Sequence, residues 1–273
     1  MCYDYRALNK QTIRNRYPLP LAIDCFEKLA KARFFSKMDL RHGYYQVQIA
    51  KGDKRKTAIV TRYDSFEFLV IPFGFFNAPT MFFTLMNVLR PYLISFVVVY
   101  LDYIVLYSDN MEDHKKHLVM VFEALRSNQL YLKKSKCVFA QTEIPFLGHI
   151  VGQGYIWMEP SRVEAIKDSV EPKNAHEMRV FFGMTKYQRK FEEGYSKVTS
   201  SLTNLFKKYK RWSWTNKCQE AFDDLKRRIV TTPKVKLPDF ERPFEVHTDA
   251  SDFTIGGILM QDGHPVAYES RKF

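Results

Sequence analysis

The sequence predicts an α+β fold in which a mixed sheet is backed by two long helices. Residues 96–109 consist of an apolar run, a tight turn and a second apolar run, which is typical of a β-hairpin. Residues 77–93 and 112–128 carry apolar side chains at helical spacing. Apolar residues make up 46% of the 273 residues, so we expect a packed core.

In the first half of the chain, each predicted element rests on a local pattern. Pro79 falls in the first turn of the helix predicted from residue 77, where its missing N–H costs nothing. The apolar face of that helix is predicted to comprise Met81, Leu85, Leu89 and Tyr92. The other predicted elements are a helix over 23–31 that buries Phe26, Leu29 and Ala30, a strand over 34–39, an alternating segment over 43–49 with a turn at 51–53, a hairpin formed by 56–62 and 65–70, and strands over 138–140 and 144–151.

The second half is predicted to be mostly helical before it ends in strands. Asn174 is followed three residues later by Glu177, which is an N-cap pattern. The predicted elements are helices over 161–168, 175–189, 196–207 and 215–229, then three strands within 243–261 and 265–270.

Charge and cysteine usage narrow the class of protein. The formal net charge of +12 favours a polyanionic partner such as nucleic acid, although an ordinary basic surface is the alternative. The four cysteines are far apart, so we expect neither a zinc site nor a disulfide framework, and a reducing intracellular setting fits best. We find no 18-residue apolar stretch and no signal peptide, so we expect no membrane association and a location in the cytoplasm or nucleus.

Seven blocks follow one another along the chain and carry its strongest signal. They are DYRALNKQTI with YPLP, FFSKMDLRHGYYQVQI, KTAIVTRYDSFEFLVIPFGFFNAP, VVVYLDYIVLYS, KKSKCVFAQTEIPFLGHIV, FFGMTKYQRKF, and HTDAS with SRKF. In this order they resemble the reverse transcriptase, with the start of ribonuclease H, in the pol polyprotein of Ty3/gypsy long-terminal-repeat retrotransposons. The resemblance covers essentially the whole chain.

The resemblance implies a right-hand polymerase fold with a palm, fingers and a helical thumb, followed by a truncated RNase H-like α/β segment. The expected domains are a palm with partial fingers over 1–150, a thumb over 151–210, a connection over 211–240 and the RNase H-like segment over 241–273.

The resemblance also implies a metal site built from carboxylates. The family joins deoxynucleotides to a primer 3′ end on an RNA or DNA template, using two Mg²⁺ ions. Mg²⁺ takes oxygen ligands, so carboxylates must converge from separate strands. Asp39 and Asp102 match two catalytic, metal-binding carboxylates of the family. A lone aspartate at a strand end is otherwise a turn or capping residue, and for Asp39 without the family pattern that alternative is favoured.

Tyr103 stands where the family has its third carboxylate, because the quartet at residues 100–103 ends in tyrosine instead of aspartate. A tyrosine hydroxyl is neutral near pH 7 and brings no charge to offset a dication. Losing several kcal/mol of transition-state stabilisation slows a reaction by on the order of 10³-fold. We therefore predict little or no polymerase activity.

Further positions match the nucleotide pocket of the family. Tyr44 matches the aromatic that excludes a 2′-hydroxyl, with an ordinary core aromatic as the alternative. Phe73 and Gly74 match the loop beneath the incoming nucleotide. Phe75 and Phe76 replace the Leu-Thr of the family, and we expect the two rings to narrow the pocket.

Another turn matches the segment that grips the primer terminus. Its residues are Phe146, Leu147, Gly148 and His149. The glycine fits a close backbone approach to a phosphate or sugar.

Basic and aromatic residues interleave on the predicted thumb helices, a combination that suits phosphate contacts with base stacking. Lys186, Arg189 and Lys190 are the candidate nucleic-acid ligands. A solvated basic face with its aromatics packed inward is the alternative. The rest of the set comprises Lys197, Lys207, Lys208, Lys210, Arg211, Tyr187, Tyr195, Tyr209 and Trp212.

Both ends of the chain also bear on activity. The family carries a basic finger segment before the residue that matches Met1, so we expect weakened triphosphate binding. Of the four RNase H carboxylates only Asp249 has a counterpart, so we expect no RNA cleavage and an unpaired sheet edge.

Three functional hypotheses follow. The first is an impaired RNA-directed DNA polymerase whose partners are template–primer and deoxynucleotides. The second is a nucleic-acid-binding remnant without chemistry, and the third is a relic without a cellular role. The sequence leaves the oligomeric state open.

Overall fold

The structure is a computed structural model that describes residues 3–18, 20–93, 95–185, 189–207, 211–231, 234–252 and 254–272. The chain divides into two compact units, Met1–Ile144 and Pro145–Phe273, called unit 1 and unit 2 below. Within these ranges, none of the helices combines the length and apolar character needed to cross a bilayer.

Unit 1 combines a β-sheet with helices that pack on it. Its elements are α1 (Arg6–Gln11), α2 (Ala22–Leu29), β1 (Phe34–Asp39), 3₁₀ helices Gly43–Gln46 and Lys51–Thr57, β2 (Ile59–Val60), β3 (Ser65–Phe66), α3 (Ala78–Leu85), a 3₁₀ helix Met86–Tyr92, β4 (Val97–Tyr100), β5 (Tyr103–Ser108), α4 (Met111–Ser127), a 3₁₀ helix Lys134–Lys136 and β6 (Val138–Gln141).

The sheet of unit 1 has the strand order β4-β5-β1-β6. All three pairings are antiparallel, although we expected a mixed sheet. The α+β class itself is confirmed. The tight hairpin between β4 and β5 imposes an antiparallel pairing, and β1 then runs antiparallel to both of its neighbours.

One face of this sheet is covered by helices. Met38, Val99 and Ile104 lie on adjacent strands in register and are almost fully buried. They belong to a core cluster completed by side chains of α3, the following 3₁₀ helix and α4: Leu40, Phe82, Met86, Leu89, Phe96, Val97, Leu106, Val121, Leu125 and Leu130. Since side chains alternate along a strand, Asp39 and Tyr103 project from the opposite face.

Several predictions for unit 1 are confirmed. The hairpin over 96–109 corresponds to β4 and β5, the strand over 34–39 to β1, and the helix over 112–128 to α4. The helix predicted over 23–31 is α2, which buries Phe26 and Leu29 and ends before Ala30.

Other predictions for unit 1 were wrong in detail. The helix predicted over 77–93 is α-helical only as far as Leu85 and continues as a 3₁₀ helix containing Pro91, whose ring and missing N–H interrupt α-helical bonding. Met81 is exposed, and Phe82 and Met86 are buried instead. Most positions in this segment are apolar, so the spacing alone did not identify the buried face.

The segment over 43–49 and the second predicted hairpin also differ from expectation. His42 adopts a left-handed φ of 51°, and the chain then forms the 3₁₀ helix Gly43–Gln46 instead of continuing with period-two alternation. The turn predicted at 51–53 begins another 3₁₀ helix, Lys51–Thr57. The hairpin is present, but its strands β2 and β3 are only two residues long.

Unit 2 is built from two small sheets and several helices. Following β7 (Glu143–Phe146), which spans the boundary, come β8 (His149–Gly152), β9 (Tyr155–Met158), α5 (Pro160–Lys167), α6 (Ala175–Thr185), α7 (Tyr195–Val198), α8 (Ser200–Thr203), a 3₁₀ helix Asn204–Phe206, α9 (Asn216–Thr231), β10 (Val235–Lys236), β11 (Glu245–Ala250), β12 (Thr254–Gln261) and β13 (His264–Lys272). The sheets have the orders β10-β9-β8-β7 and β11-β12-β13.

The helices of unit 2 share a core that includes Met178, Phe181, Phe222 and Leu225. The predicted cap of α6 is confirmed, since the backbone N–H of Glu177 donates to Asn174 Oδ1 at 2.9 Å. The helix predicted over 161–168 is α5, the one over 215–229 is α9, and the three C-terminal strands are β11, β12 and β13.

Two predictions for unit 2 were wrong. The strand over 144–151 is interrupted by a turn, because Leu147 and Gly148 both have positive φ angles, of 52° and 78°. The helix over 196–207 is broken into α7, α8 and a 3₁₀ helix. The helix predicted over 175–189 is described as α6 up to Thr185, and residues 186–188 lie outside the described ranges.

Candidate functional site

The two predicted carboxylates of unit 1 are close to each other. Asp39 ends β1, and Asp102 lies in the two-residue loop that joins β4 to β5. Asp39 pairs in register with Tyr103, so the loop residue beside Tyr103 is brought next to the end of β1. Leu101, the other loop residue, has a φ of 49° that allows this tight reversal.

Burial and charge make this carboxylate pair unusual. Burial raises the pKa of Asp102 above its ordinary value, the negative charge of Asp39 raises it further, and Lys136 opposes both effects. Asp102 Oδ1 is buried and has no hydrogen-bond partner among the described residues. A buried acceptor without a partner is costly, which makes this oxygen a candidate ligand atom.

Two lysines flank the pair. Lys136 Nζ lies 3.3 Å from Asp39 Oδ2, and the Asp39 side chain is only 10% exposed. Lys37 Nζ lies 4.4 Å from the centroid of the Tyr103 ring, a cation–π geometry. The position matching the third family carboxylate therefore holds a neutral ring beneath an ammonium group.

The donor set fits a divalent cation in part. Carboxylate oxygens are the ligands that Mg²⁺ prefers, and Asp39 lies close enough to Asp102 for its charge to raise the Asp102 pKa. In the described ranges, no group of three or more histidine, cysteine or acidic side chains is arranged to hold a metal. The site thus offers two carboxylates for one cation, not the full acid set of the family.

Aromatic rings lie beside the acids. Burial raises the pKa of Tyr44, and the charge of Asp102 raises it further, so the two side chains are near each other. The Tyr44 ring contacts Phe73 and Phe82 edge-on, with centroids 5.2 and 5.6 Å away. The Tyr45 ring also contacts Phe73, with the two centroids 5.6 Å apart. Phe73 is 55% exposed, so the cluster presents an accessible ring.

Gly43 permits the close packing of this region. A Cβ added to it would lie 2.8 Å from Phe82 Cε2 and 3.5 Å from Asp102 Oδ1. Gly74 has a φ of 102°, which an L side chain rarely adopts, and its carbonyl accepts a hydrogen bond from Asn9 Nδ2 at 2.7 Å.

Phe75 and Phe76 both contact the N-terminal segment. The Phe75 ring packs edge-on against Tyr5 at 4.5 Å, and the guanidinium of Arg14 lies 4.7 Å from the Phe76 centroid. Whether the two rings narrow a nucleotide pocket stays a prediction.

In unit 2, the turn predicted to grip a primer joins β7 to β8. Phe146 and His149 are buried, while Leu147 and Gly148 form the tip. Any Cβ on Gly148 would collide with the guanidinium of Arg162. Gly148 has a φ of 78°, which favours glycine, so its identity is explained by the turn itself and its role at a primer stays a prediction. Burial lowers the pKa of His149 to about 4.

The predicted basic ligands of unit 2 have different surroundings. The guanidinium of Arg189 pairs with Glu269 and donates to the Ser270 carbonyl, so it is engaged within the unit. Lys190 is exposed. Lys186 lies outside the described ranges, as do Tyr187, Lys208, Tyr209 and Lys210.

Two aromatics of that set are packed inward, as the alternative hypothesis holds. Tyr195 is buried and its hydroxyl lies 3.2 Å from Thr185 Oγ1. Trp212 stacks on Trp214 beside the core of unit 2.

Asp249 lies in β11, whose six residues are all exposed. It lines a cleft of about 750 Å³ between the α7–α8 segment and the three-stranded sheet, together with Glu193, Lys197, His247 and Tyr268. This cleft contains neither Asp39 nor Asp102.

Sequence reasoning missed a buried polar network behind the acid pair. Ser36 Oγ lies 2.8 Å from His114 Nε2, and His114 Nδ1 lies 3.0 Å from Ser108 Oγ. Ser108 Oγ is also 2.8 Å from Nδ1 of His117. Burial lowers the pKa of His114 to about 4, so the ring is neutral at pH 7. The predicted strand and helix contained these residues, but their spacing gave no sign of the pairing.

Comparison with solved structures defines the class of fold. The chain superimposes on the foamy viral protease-reverse transcriptase in complex with double-stranded DNA, with a TM-score of 0.91 and 23% identity over 99% of this chain and 48% of that one. The same viral protein in complex with an RNA/DNA hybrid gives a TM-score of 0.88 at 23% identity, over 99% and 37% of the two chains. The fold is therefore a polymerase fold of the reverse-transcriptase type.

Sequence comparison then identifies the family. The family described as reverse transcriptase (RNA-dependent DNA polymerase) matches residues 1–151, and the RNase H-like domain found in reverse transcriptase matches residues 214–273. The chain belongs to the reverse transcriptase family, and its match lies in a retrotransposon Pol polyprotein, as the sequence blocks predicted.

Two retrotransposon polyproteins are similar to this chain over nearly its whole length. The chain is 39% identical to the retrovirus-related Pol polyprotein from transposon 297 of Drosophila melanogaster, over 98% of this chain. It is 35% identical to the transposon Tf2-3 polyprotein of Schizosaccharomyces pombe, over its full length. The chain spans 26% and 21% of these two polyproteins.

Proposed function

We propose that unit 1 carries a nucleotidyl-transfer site of the reverse-transcriptase type, with template–primer and deoxynucleotides as substrates and Mg²⁺ as the cation. The supporting observation is the convergence of Asp39, at the end of β1, and Asp102, in the loop between β4 and β5, where Asp102 Oδ1 is buried without a hydrogen-bond partner among the described residues. Bound Mg²⁺ would supply activation of the primer 3′-hydroxyl and charge neutralisation at the triphosphate.

The side chains of unit 1 have separate roles in this proposal. Asp39 and Asp102 provide the oxygen ligands. Tyr44, held edge-on between Phe73 and Phe82, limits the space beside the acids and packs against the sugar of a nucleotide. Gly74 supplies the positive φ of the loop that follows Phe73.

The same proposal assigns weak activity to this chain. Tyr103 is neutral, lies beneath Lys37 and faces the side of the sheet that carries Asp39. Two carboxylates must then offset the charge of the divalent cations, where the family uses three. The stabilisation of the transition state is therefore weaker.

For unit 2 we propose contacts to the nucleic acid. The turn at 146–149 serves the primer, Lys190 contacts phosphates, and Asp249 corresponds to one carboxylate of the RNase H acid set. We also propose the division into palm with partial fingers, thumb, connection and RNase H-like segment at the boundaries predicted from the sequence.

Primer extension on an RNA template tests the catalytic proposal. We expect the wild-type protein to extend slowly and Tyr103→Asp to extend on the order of 10³-fold faster, because the third carboxylate is supplied. Tyr131→Asp adds the same charge at a tyrosine that is 65% exposed and should leave the rate unchanged. Adding Asp102→Asn to Tyr103→Asp should abolish extension.

A binding assay separates this proposal from a non-catalytic role. If Tyr103→Asp gives no extension while the protein binds an RNA/DNA hybrid with salt-dependent affinity, the chain is a nucleic-acid-binding protein without chemistry. If neither extension nor binding is observed, both functional proposals are wrong.

A further inference from the structure

The ammonium group of Lys136 contacts Asp39, one of the two carboxylates proposed above to bind the metal. Lys136 Nζ is 3.3 Å from Asp39 Oδ2, and the two residues are 97 positions apart in the chain. The lysine side chain is 55% exposed, whereas that of Asp39 is 10% exposed. A largely exposed lysine side chain therefore places its ammonium group against a nearly buried carboxylate.

The backbone holds Lys136 in this position. The 3₁₀ helix Lys134–Lys136 is joined to the end of β1, because the N–H of Lys133 donates to the Asp39 carbonyl at 2.8 Å. The N–H of Lys136 then donates to the Lys133 carbonyl, also at 2.8 Å. A bridge between Leu40 and Leu132 continues the attachment. The lysine is thus anchored to the same backbone that presents the acid.

The charge around the acids is already balanced within unit 1. Asp39 and Asp102 contribute two negative charges, while Lys136 interacts electrostatically with both and Lys37 lies over the adjacent Tyr103 ring. A divalent cation that binds Asp39 must displace the Lys136 ammonium or accept its repulsion at close range.

We propose that Lys136 is an intramolecular competitor of the divalent cation, occupying Asp39 when no metal is bound and setting the affinity of the site for the cation. This inference rests on the metal-binding role proposed above for Asp39 and Asp102. It assigns Lys136 a regulatory contact in which the ammonium group must leave Asp39 before a cation can bind there.

Binding of Mn²⁺ to the full chain without nucleic acid, followed by electron paramagnetic resonance of the free ion, tests the inference. We expect Lys136→Met to tighten Mn²⁺ binding by about threefold to tenfold, because a partly screened positive charge is removed from the ligand. Lys136→Arg keeps the charge and should bind within about twofold of wild type on the same scale.

A matched control removes an equal charge from the same 3₁₀ helix. Lys134 is exposed and makes no ion pair with Asp39 among the described contacts, so Lys134→Met should leave the Mn²⁺ affinity unchanged. Asp39→Asn in the Lys136→Met background should weaken binding again, which locates the ion. Far-ultraviolet circular dichroism verifies the fold, and Lys136→Gln replaces Lys136→Met if the latter is unfolded.

The outcomes are distinct. Equal affinities of wild type and Lys136→Met overturn the inference and leave the metal site intact. If Lys136→Met binds Mn²⁺ and the wild type does not, the inference is supported. The proposal that the wild-type protein binds a divalent cation is then wrong. If none of the variants binds, both the inference and the proposed metal site are wrong.

Discussion

Unit 1 and unit 2 each contain an aspartate on a strand that we predicted to match a carboxylate of the family, but their surroundings differ. Asp39 ends a strand whose other face is sealed by α3 and α4, and it is 7% exposed. Asp249 lies in a strand whose six residues are all exposed. Packing gives the first acid a fixed neighbour and a counter-charge, so a strand motif becomes a site only where the surrounding core positions it.

The largest expected effect tests whether this difference in packing appears in the free energy of unfolding. Phe82 is 1% exposed beneath Gly43 and Tyr44, so Phe82→Ala should destabilise unit 1 by about 3–5 kcal/mol through lost burial and a cavity. Val246→Ala in β11, which is 68% exposed, should change stability by less than about 0.5 kcal/mol. Urea unfolding followed by circular dichroism measures both variants.

The position of the tryptophans sharpens that experiment. Trp157, Trp212 and Trp214 all lie in unit 2, so tryptophan fluorescence follows unit 2 alone. Phe82→Ala should leave the fluorescence transition in place. Similar losses for the two variants would contradict the comparison.

The next effect concerns pH. Burial lowers the pKa of His114 to about 4 in the folded protein, below the ordinary value of 6.5 that applies when it is unfolded. The unfolded chain therefore takes up a proton first as pH falls, and unit 1 loses stability between about pH 6.5 and pH 4. We expect a loss of about 2 kcal/mol between pH 7 and pH 5.

Urea titrations of wild type and His114→Asn at these two pH values measure this effect. His114→Asn should be less stable than wild type at pH 7. The difference in stability between the two proteins should be smaller at pH 5, because the variant lacks the side chain whose proton uptake destabilises the wild type. A constant difference at both pH values would show that the His114 ring does not titrate with folding.

The smallest effect compares two glycines. A Cβ on Gly43 would press on Phe82, so Gly43→Ala should cost about 1–2 kcal/mol. Gly183 lies in α6 with open space at its Cβ position, so Gly183→Ala should stabilise by about 0.5–1 kcal/mol. Thermal unfolding of both variants checks the opposite signs, and a stabilising Gly43→Ala would mean that the packing beside Asp102 is loose.

Much of the architecture followed from local patterns. The hairpin with Asp102, the strand that ends on Asp39 and the capped start of α6 were predicted because each rests on turn chemistry or residue spacing over a few positions. The helix at 77–93 was less well predicted, since its mostly apolar residues did not specify which face is buried.

The sequence by itself determined the family, the two acids and the neutral Tyr103, because these depend on residue identity and order. Only the tertiary structure decided which groups meet those acids. Lys136 reaches Asp39 across 97 positions, Ser36 meets His114 across 78, and Phe82 lies beneath Gly43. Such contacts depend on how strands pair and helices pack, and no local periodicity encodes which distant side chain fills the remaining space.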